Sequence, residues 1–267
     1  MAADITFSGS IPENYDRFLG PMLFEPYAVD LVSRINHSNI TSVLELACGT
    51  GRVTRHLVKN FSPTTKITAS DLNPGMIAVA KRQVPEPSID WLTADMQDLP
   101  FKDNVFDVAV CQYGIMFVPD KPKAIREIAR VLKRGGVFYF NTWDKIENNG
   151  VPRIARQVVT DYYNGAQPEF YALPFSMYEP DVLRALLLGN GFSDVQISLV
   201  KKEGVSPSAH DAARGIIEGN PFFNELLAKD PTAVEKIGAL VRKEIGATYG
   251  NDPMRCPLQA WVGSATK

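Results

Sequence analysis

Cysteine, histidine and tryptophan are scarce in this 267-residue chain, with three of each. Cys48, Cys111 and Cys256 lie far apart, which excludes a disulfide framework and a zinc knuckle and fits a reducing, cytoplasmic compartment. Of the histidines, His56 is expected on a helix surface and His37 in a solvated turn, which leaves His210 as the one to consider near a substrate. Charge of one sign is lacking too. Lys plus Arg number 28 against 30 for Asp plus Glu, a net charge of −2, far from the positive field that nucleic-acid binding requires. The longest apolar stretch, Val105 to Val118, is broken by Asp107, Gln112 and Gly114 and falls short of the roughly 20 residues of a membrane span. The first residues show neither a basic nor an apolar leader region, so no secretory signal is expected. No repeat or low-complexity tract occurs, and Gly and Pro, 19 each, sit near the globular average. These absences leave a globular chain whose expected partner is a small molecule, with no nucleic acid, no metal and an open oligomeric state.

What is present is an alternation of strands and helices. Ser42–Leu46, Lys66–Ser70, Ile89–Thr93, Val105–Cys111 and Val137–Asn141 read as five strands. Between them, Arg52–Phe61 carries Val53, Leu57 and Phe61 at helical spacing. Asn73-Pro74 reads as an N-cap followed by proline at the first helical position. Ile125, Ile128, Ala129 and Leu132 form one face of a helix that should stop at Gly135-Gly136. Near-continuously apolar strands alternating with helices predict a parallel sheet covered on both faces. Residues 144–180 read as irregular and aromatic, Val195, Ile197 and Leu199 as a half-buried strand, residues 206–248 as two or three helical pieces, and Leu258, Ala260 and Val262 as a last strand. The expected fold is α/β: a doubly wound, mostly parallel seven-stranded sheet with a helical cap. The expected segments are 1–40 (N-terminal helical cap), 41–143 (Rossmann-like core), 144–180 (cap insertion) and 181–267 (rest of the core, with the helical insertion 206–248).

The chemistry concentrates in Val43-Leu-Glu-Leu-Ala-Cys-Gly-Thr-Gly-Arg-Val53, a strand ending in a glycine turn that opens a helix. Glycines let backbone approach a ligand closely, and a helix N-terminus offers free N–H groups. A dinucleotide fingerprint wants a third glycine, but Gly49 and Gly51 are followed by Val53 and Thr54. Instead, Glu45 precedes the turn, Asp71 ends the second strand, where an acid accepts ribose hydroxyls, and Asp95-Met96 follows the third, suited to an adenine amine and ring.

Together these residues resemble the class I S-adenosylmethionine-dependent methyltransferases, and most closely the type 11 group similar to ubiquinone and menaquinone biosynthesis enzymes. The resemblance covers about residues 40–145 and includes Ala94-Asp-Met-Gln-Asp-Leu-Pro-Phe101, Phe106 to Gln112 and Val131-Leu-Lys-Arg-Gly-Gly-Val137. It departs from the family at Ala47, where many members carry glycine. It implies S-adenosylmethionine as cofactor, held by Tyr15, Glu45, Ala47, Gly49, Gly51, Arg52, Asp71, Leu72, Met76, Asp95, Met96 and Gln112. It also implies methyl transfer by direct displacement to a small, partly apolar molecule, for which Phe18, Tyr27, Tyr113, Phe117, Trp143 and Tyr178 are candidate contacts. No residue presents itself as a general base. The fourth strand ends Cys111-Gln-Tyr-Gly114, without the Asn/Asp-Pro-Pro-aromatic signature of DNA amino-methylating enzymes. A nicotinamide-dependent oxidoreductase and a non-catalytic S-adenosylmethionine-binding protein remain alternatives at this level.

Overall fold

The computed structural model describes residues 7–166 and 170–267. Six residues of the expected segment 1–40 and three of the segment 144–180 lie outside the described residues. The strands are β1 (Ser42–Leu46), β2 (Lys66–Asp71), β3 (Ile89–Thr93), β4 (Phe106–Gln112), β5 (Leu132–Trp143), β6 (Ser193–Ser206) and β7 (Met254–Thr266). The α-helices are α1 (Ile11–Asn14), α2 (Glu25–Ser33), α3 (Thr54–Asn60), α4 (Pro74–Gln83), α5 (Lys121–Val131), α6 (Gly150–Tyr162), α7 (Pro180–Leu188), α8 (Ala209–Glu218), α9 (Phe222–Lys229) and α10 (Ala233–Tyr249).

The strands form one sheet in the order β3-β2-β1-β4-β5-β7-β6. The first five pair in parallel, and β7 lies antiparallel to β5. The chain divides into two compact units, one of Met1–Tyr27, Asp144–Phe175 and Lys201–Gln259, the other of Ala28–Trp143, Ser176–Val200 and Ala260–Lys267.

The second unit is built around the sheet. Its helices start where the sequence supplies caps. Asn73 Oδ1 accepts from the Gly75 amide at 2.8 Å and the Met76 amide at 3.2 Å, with Pro74 at the first helical position. Asp120 Oδ1 accepts from the Lys123 amide at 2.9 Å at the head of α5. That helix buries Ala124, Ile125, Ile128, Ala129 and Val131 on one face. It ends at Val131, earlier than the glycine pair predicts. Sheet pairing takes over because Leu132 lies opposite Phe106, the Gly135 amide donates to the Lys267 carbonyl at 3.0 Å and the Lys267 amide to the Gly136 carbonyl at 2.9 Å.

In the first unit, α1 runs into a π-helical stretch, Tyr15–Phe24, whose wide turn carries Pro21 and closes with the Glu25 amide donating to the Gly20 carbonyl. Three helices, α8, α9 and α10, occupy most of 206–248. Residues 150–162, expected to be irregular, form α6 instead. Its buried Val151, Ile154, Ala155 and Val159 follow helical spacing, a period that Gly150, Pro152 and the β-branched Val158-Val159-Thr160 hide from a propensity reading. Just after β5, Asn149 is fully buried and fully engaged. Its Nδ2 donates to the Lys145 and Gln259 carbonyls at 3.1 Å, and its Oδ1 accepts from the Gln259 amide at 3.0 Å. Asp144 Oδ2 accepts from Asn148 Nδ2 and Gln259 Nε2, both at 2.6 Å.

Candidate cofactor site

The carboxyl ends of the parallel strands gather the candidate residues of the second unit. After β1 the backbone enters the left-handed region three times, at Ala47 (φ 50°), Gly49 (φ 55°) and Gly51 (φ 80°). The two glycines do different work. A Cβ on Gly51 would meet Val84 Cγ2 at 3.2 Å and Ala80 Cβ at 3.3 Å, so this glycine lets the turn pack on α4. A Cβ on Gly49 would meet nothing within 4 Å, so this side of the turn is open. Ala47 holds a conformation that costs an L-residue with a Cβ about 1–2 kcal/mol. Its methyl stands 2.5 Å from where a Cβ on Gly114 would be, so Gly114 supplies the space that Ala47 takes up.

Asp71 ties the turn to β2. Its Oδ2 accepts from the Gly49 amide at 2.8 Å and its Oδ1 from the Asn73 amide at 2.8 Å. Burial raises its pKa, opposed by hydrogen bonds from the Asn73 and Gly49 amides. Each oxygen has lone-pair capacity beyond its one backbone donor. Next to it Leu72 is 68% exposed, an apolar side chain with little of its own fold to cover it. Glu45, 2% exposed, has its Oε2 without a hydrogen-bond partner. Burial pushes its pKa up to about 8, against the opposing hydrogen bonds of Thr54.

Past β3, Asp95 Oδ1 accepts from the Gln97 amide at 2.8 Å and Asp95 Oδ2 from Gln97 Nε2 at 3.1 Å, while Gln97 Oε1 accepts from the Asp120 amide at 3.0 Å. This chain of bonds fixes the carboxylate relative to the start of α5. Met96 and Met76 are buried, and Arg52 and Gln112 half-buried.

Beyond β4 the Tyr113 backbone is left-handed as well (φ 52°). The Tyr113 ring stacks on Trp143 at 3.9 Å between centroids and 7° between planes. Phe117 and Tyr178 belong to the same unit and are half-buried. Tyr15, Phe18 and Tyr27 belong to the first unit. There Tyr15 stacks on Phe24 at 4.7 Å, the Phe18 ring has the Arg17 and Arg214 guanidinium carbons 5.0 and 5.1 Å from its centroid, and Tyr27 is fully buried. Phe18 and Tyr27 are core side chains of that unit, and a substrate would have to displace packed neighbours to touch either.

Two groups were missed at the sequence level. One is Gly114, legible only once Ala47 is known to sit opposite. The other is Asn141, fully buried near the carboxyl end of β5, whose Oδ1 accepts from the Tyr113 amide at 3.0 Å.

The thiols offer no nucleophile: burial pushes Cys111 up to about 12, Cys256 to about 11 and Cys48 well above its ordinary value, and only the thiolate reacts. Among the described residues no cluster of three His, Cys, Asp or Glu side chains suited to a metal occurs, and no helix is long and apolar enough to cross a membrane.

A family profile described as "Methyltransferase domain" matches residues 44–140, the stretch that holds every turn just described. Over residues 44–140 the chain is similar to the methyltransferase domains of that family. Around this domain the similarity thins. The chain is 38% identical over 94 residues to a 2-phytyl-1,4-naphtoquinone methyltransferase of Nostoc sp., covering 34% of this chain and 41% of that protein. It is 29% identical over 182 residues to the ubiquinone/menaquinone biosynthesis C-methyltransferase UbiE of Desulfotalea psychrophila, covering 62% of this chain and 71% of the relative. The matched stretch thus spans only 41–43% of the first curated relatives' length. Among solved structures, phosphoethanolamine N-methyltransferase 2 of Haemonchus contortus superposes with a TM-score of 0.61 at 15% identity, covering 96% of this chain and 56% of that one. That likeness shows the shared fold of the methyltransferase domain and its seven-stranded sheet.

Proposed function

We propose that the chain is an S-adenosylmethionine-dependent methyltransferase that methylates a small, partly apolar molecule, with quinone-type compounds, named for its relatives, as the substrate class to test first. The observation that carries the reading is the Asp71 clamp on the open Gly49 turn, flanked by the exposed Leu72 and the unsatisfied Glu45 oxygen. A nucleoside with a cationic tail fits this donor set. Asp71 has lone pairs left for both ribose hydroxyls. Leu72 and Met96 offer apolar cover for a purine, and Asp95 an acceptor for its amine. Glu45 is a buried acid that a positive charge nearby would favour in its ionised form.

When bound, the cofactor supplies a methyl group on a sulfonium sulfur. The chain's own residues bind, orient and exclude water, and alignment alone contributes up to roughly 7–11 kcal/mol in well-oriented systems. A general base is required only for a nucleophile that arrives protonated and weakly acidic. The same proposal gives residues 1–40, 144–180 and 206–248 the role of a cap that holds an apolar acceptor away from water, and it places the enzyme in the cytoplasm.

Thermal shift and calorimetry with S-adenosylhomocysteine test it. At 100 times its dissociation constant a ligand stabilises by about 2.7 kcal/mol, several degrees at roughly 2 °C or slightly more per kcal/mol for a chain of this size. A shift with NAD and none with S-adenosylhomocysteine overturns the reading. Amide exchange tests the cap: added protection is expected in residues 7–27 and part of 144–166 on cofactor binding, and protection confined to 45–112 removes it.

A further inference from the structure

The Asn141 carboxamide is the one polar side chain at the carboxyl end of β5 whose orientation the structure settles while leaving half of it unused. Its Oδ1 faces a backbone N–H, that of Tyr113, so the assignment of oxygen and nitrogen is dictated by the donor opposite. The Nδ2 that remains is buried and has no hydrogen-bond partner. A buried unsatisfied donor lowers stability, and a hydrophobic residue would avoid that loss. Its surroundings are also strained. The bond to Tyr113 helps hold a bulky residue at positive φ, a conformation that marks functional sites when the neighbours over-determine it.

Register shows what shares its face. Asn141 pairs with Gln112, Val110 with Glu45, and Glu45 with Ala69, two residues before Asp71. Paired residues, and those two apart along a strand, point the same way. Glu45, Asp71, Gln112, Asn141 and Trp143 therefore project from one side of the sheet. The Asp71 carboxylate on that side disfavours an anionic partner such as a carboxylate or phosphate. The stacked Tyr113 and Trp143 rings beside the amide suit a planar aromatic one. We propose that Asn141 is a substrate-positioning residue, its Nδ2 donating a hydrogen bond to a phenol- or quinol-type oxygen on the ring of the methyl acceptor. This rests on the proposed methyltransferase reading and deepens it by naming the group that sets the ring in place.

The direct test follows the Asn141 side-chain amide by ¹H–¹⁵N NMR of the full chain. Three additions are made anaerobically: S-adenosylhomocysteine alone, then with 1,4-dihydroxynaphthalene, then with naphthalene in its place. The expected result is a shift with the dihydroxy ring only. A shift on S-adenosylhomocysteine alone assigns the amide to the cofactor and overturns the proposal. So does an equal shift with naphthalene, or no shift with any of the three. Failure of the underlying reading looks different, because S-adenosylhomocysteine would then not bind at all by calorimetry.

Asn141→Asp, which keeps an oxygen for the Tyr113 amide, should raise KM for a quinol methyl acceptor about tenfold or more, the loss expected for one buried hydrogen bond. Its S-adenosylhomocysteine affinity should stay within about twofold of the parent by the same conversion. An unchanged KM, or equal loss of both affinities, points to a structural role and overturns the proposal.

Discussion

At the amino end of the sheet Asp107 accepts at Oδ2 from the Thr41 amide (2.9 Å) and hydroxyl (2.8 Å) and from the Ser42 amide (3.0 Å) and hydroxyl (2.9 Å), and at Oδ1 from Lys133 Nζ (2.6 Å). Partial desolvation raises its pKa, but the hydrogen bonds from Lys133, Thr41 and Ser42 outweigh it and hold the carboxyl well below its ordinary range. Toward the carboxyl end, Glu45 of the neighbouring strand is more deeply buried, has one oxygen without a partner, and titrates near 8. The backbone differs in which residues take the left-handed conformation: before β1 and β4 these are Asn39 (φ 62°) and Asn104 (φ 58°), a residue type that adopts it readily. Ala47, Gly49, Gly51 and Tyr113, all at positive φ, follow the carboxyl ends of β1 and β4. One end of the sheet is saturated and the other is unsatisfied and strained. In an open α/β sheet ligands bind at the carboxyl ends, and the contrast shows why: groups already matched to the protein have little left to offer a ligand.

Mutations can break this contrast or sharpen it. The largest effect is expected at Asp71→Ala, which removes the acceptor of the Gly49 and Asn73 amides. Hydrogen bonds to a charged acceptor contribute about 1.5–3 kcal/mol each, so S-adenosylhomocysteine affinity should fall at least about tenfold by calorimetry, and the melting temperature should fall with it. Wild-type affinity in this variant would mean that the clamp serves the fold alone.

Next comes Glu45→Gln. A carboxyl whose pKa is raised on folding binds protons more tightly in the folded state. Its contribution is therefore greatest below the unfolded value near 4.5 and is lost as pH rises toward 8. The difference in unfolding free energy between Glu45→Gln and the parent, read by thermal unfolding, should grow in favour of the variant from pH 5 to pH 8, by on the order of 2–4 kcal/mol. A difference independent of pH would mean that Glu45 is ionised throughout.

Asp107→Ala should cost about 1–3 kcal/mol by leaving the Thr41 and Ser42 donors without their acceptor, and it should leave cofactor affinity unchanged. The sign of its pH dependence is the reverse of Glu45. The stability that Asp107 provides is present above its ordinary pKa near 3.8 and lost in acid, so the cost of the mutation should shrink as pH falls. Weakened binding in this variant would dissolve the distinction between the two ends.

The smallest effect belongs to Ala47→Gly. Relief of the left-handed strain is offset by the greater freedom of glycine in the unfolded chain, leaving a net change below about 1 kcal/mol. Gly114→Ala alone should destabilise, because its Cβ would meet the Ala47 methyl. In the Ala47→Gly background part of that loss should disappear, a coupling that a double-mutant cycle in urea measures.

The parts of this architecture legible in the sequence were those written in local chemistry. Asn73-Pro74 announced α4, and the apolar run before Gln112 announced β4. Gly49 and Gly51 marked the turn, although only the structure separates the packing glycine from the open one. The rest depended on partners distant in sequence. Gly135-Gly136 looked like a helix stop because nothing local reveals that Lys267 pairs with it. The helix α6 was hidden by residues of low helix propensity whose burial comes from tertiary packing. Asn141 was invisible for a related reason. Within an apolar strand it reads as an exception, and its meaning lies in the amide of Tyr113, just past the end of the adjacent strand.

The sheet order also has a consequence for how the chain is made. Because β7 pairs with β5 and stands between β5 and β6, β6 must wait for a strand synthesised after it. On the ribosome β1 to β5 can assemble in parallel as they emerge, while the exposed edge of β5, ending at Trp143, stays open until Met254–Thr266 arrives. Closing so long a loop adds little to the equilibrium cost, which grows only with the logarithm of its length, but non-local pairing slows folding. Insertion of β7 is therefore expected to be the late, slow step, and the nascent edge of β5 the part of this protein most in need of a chaperone.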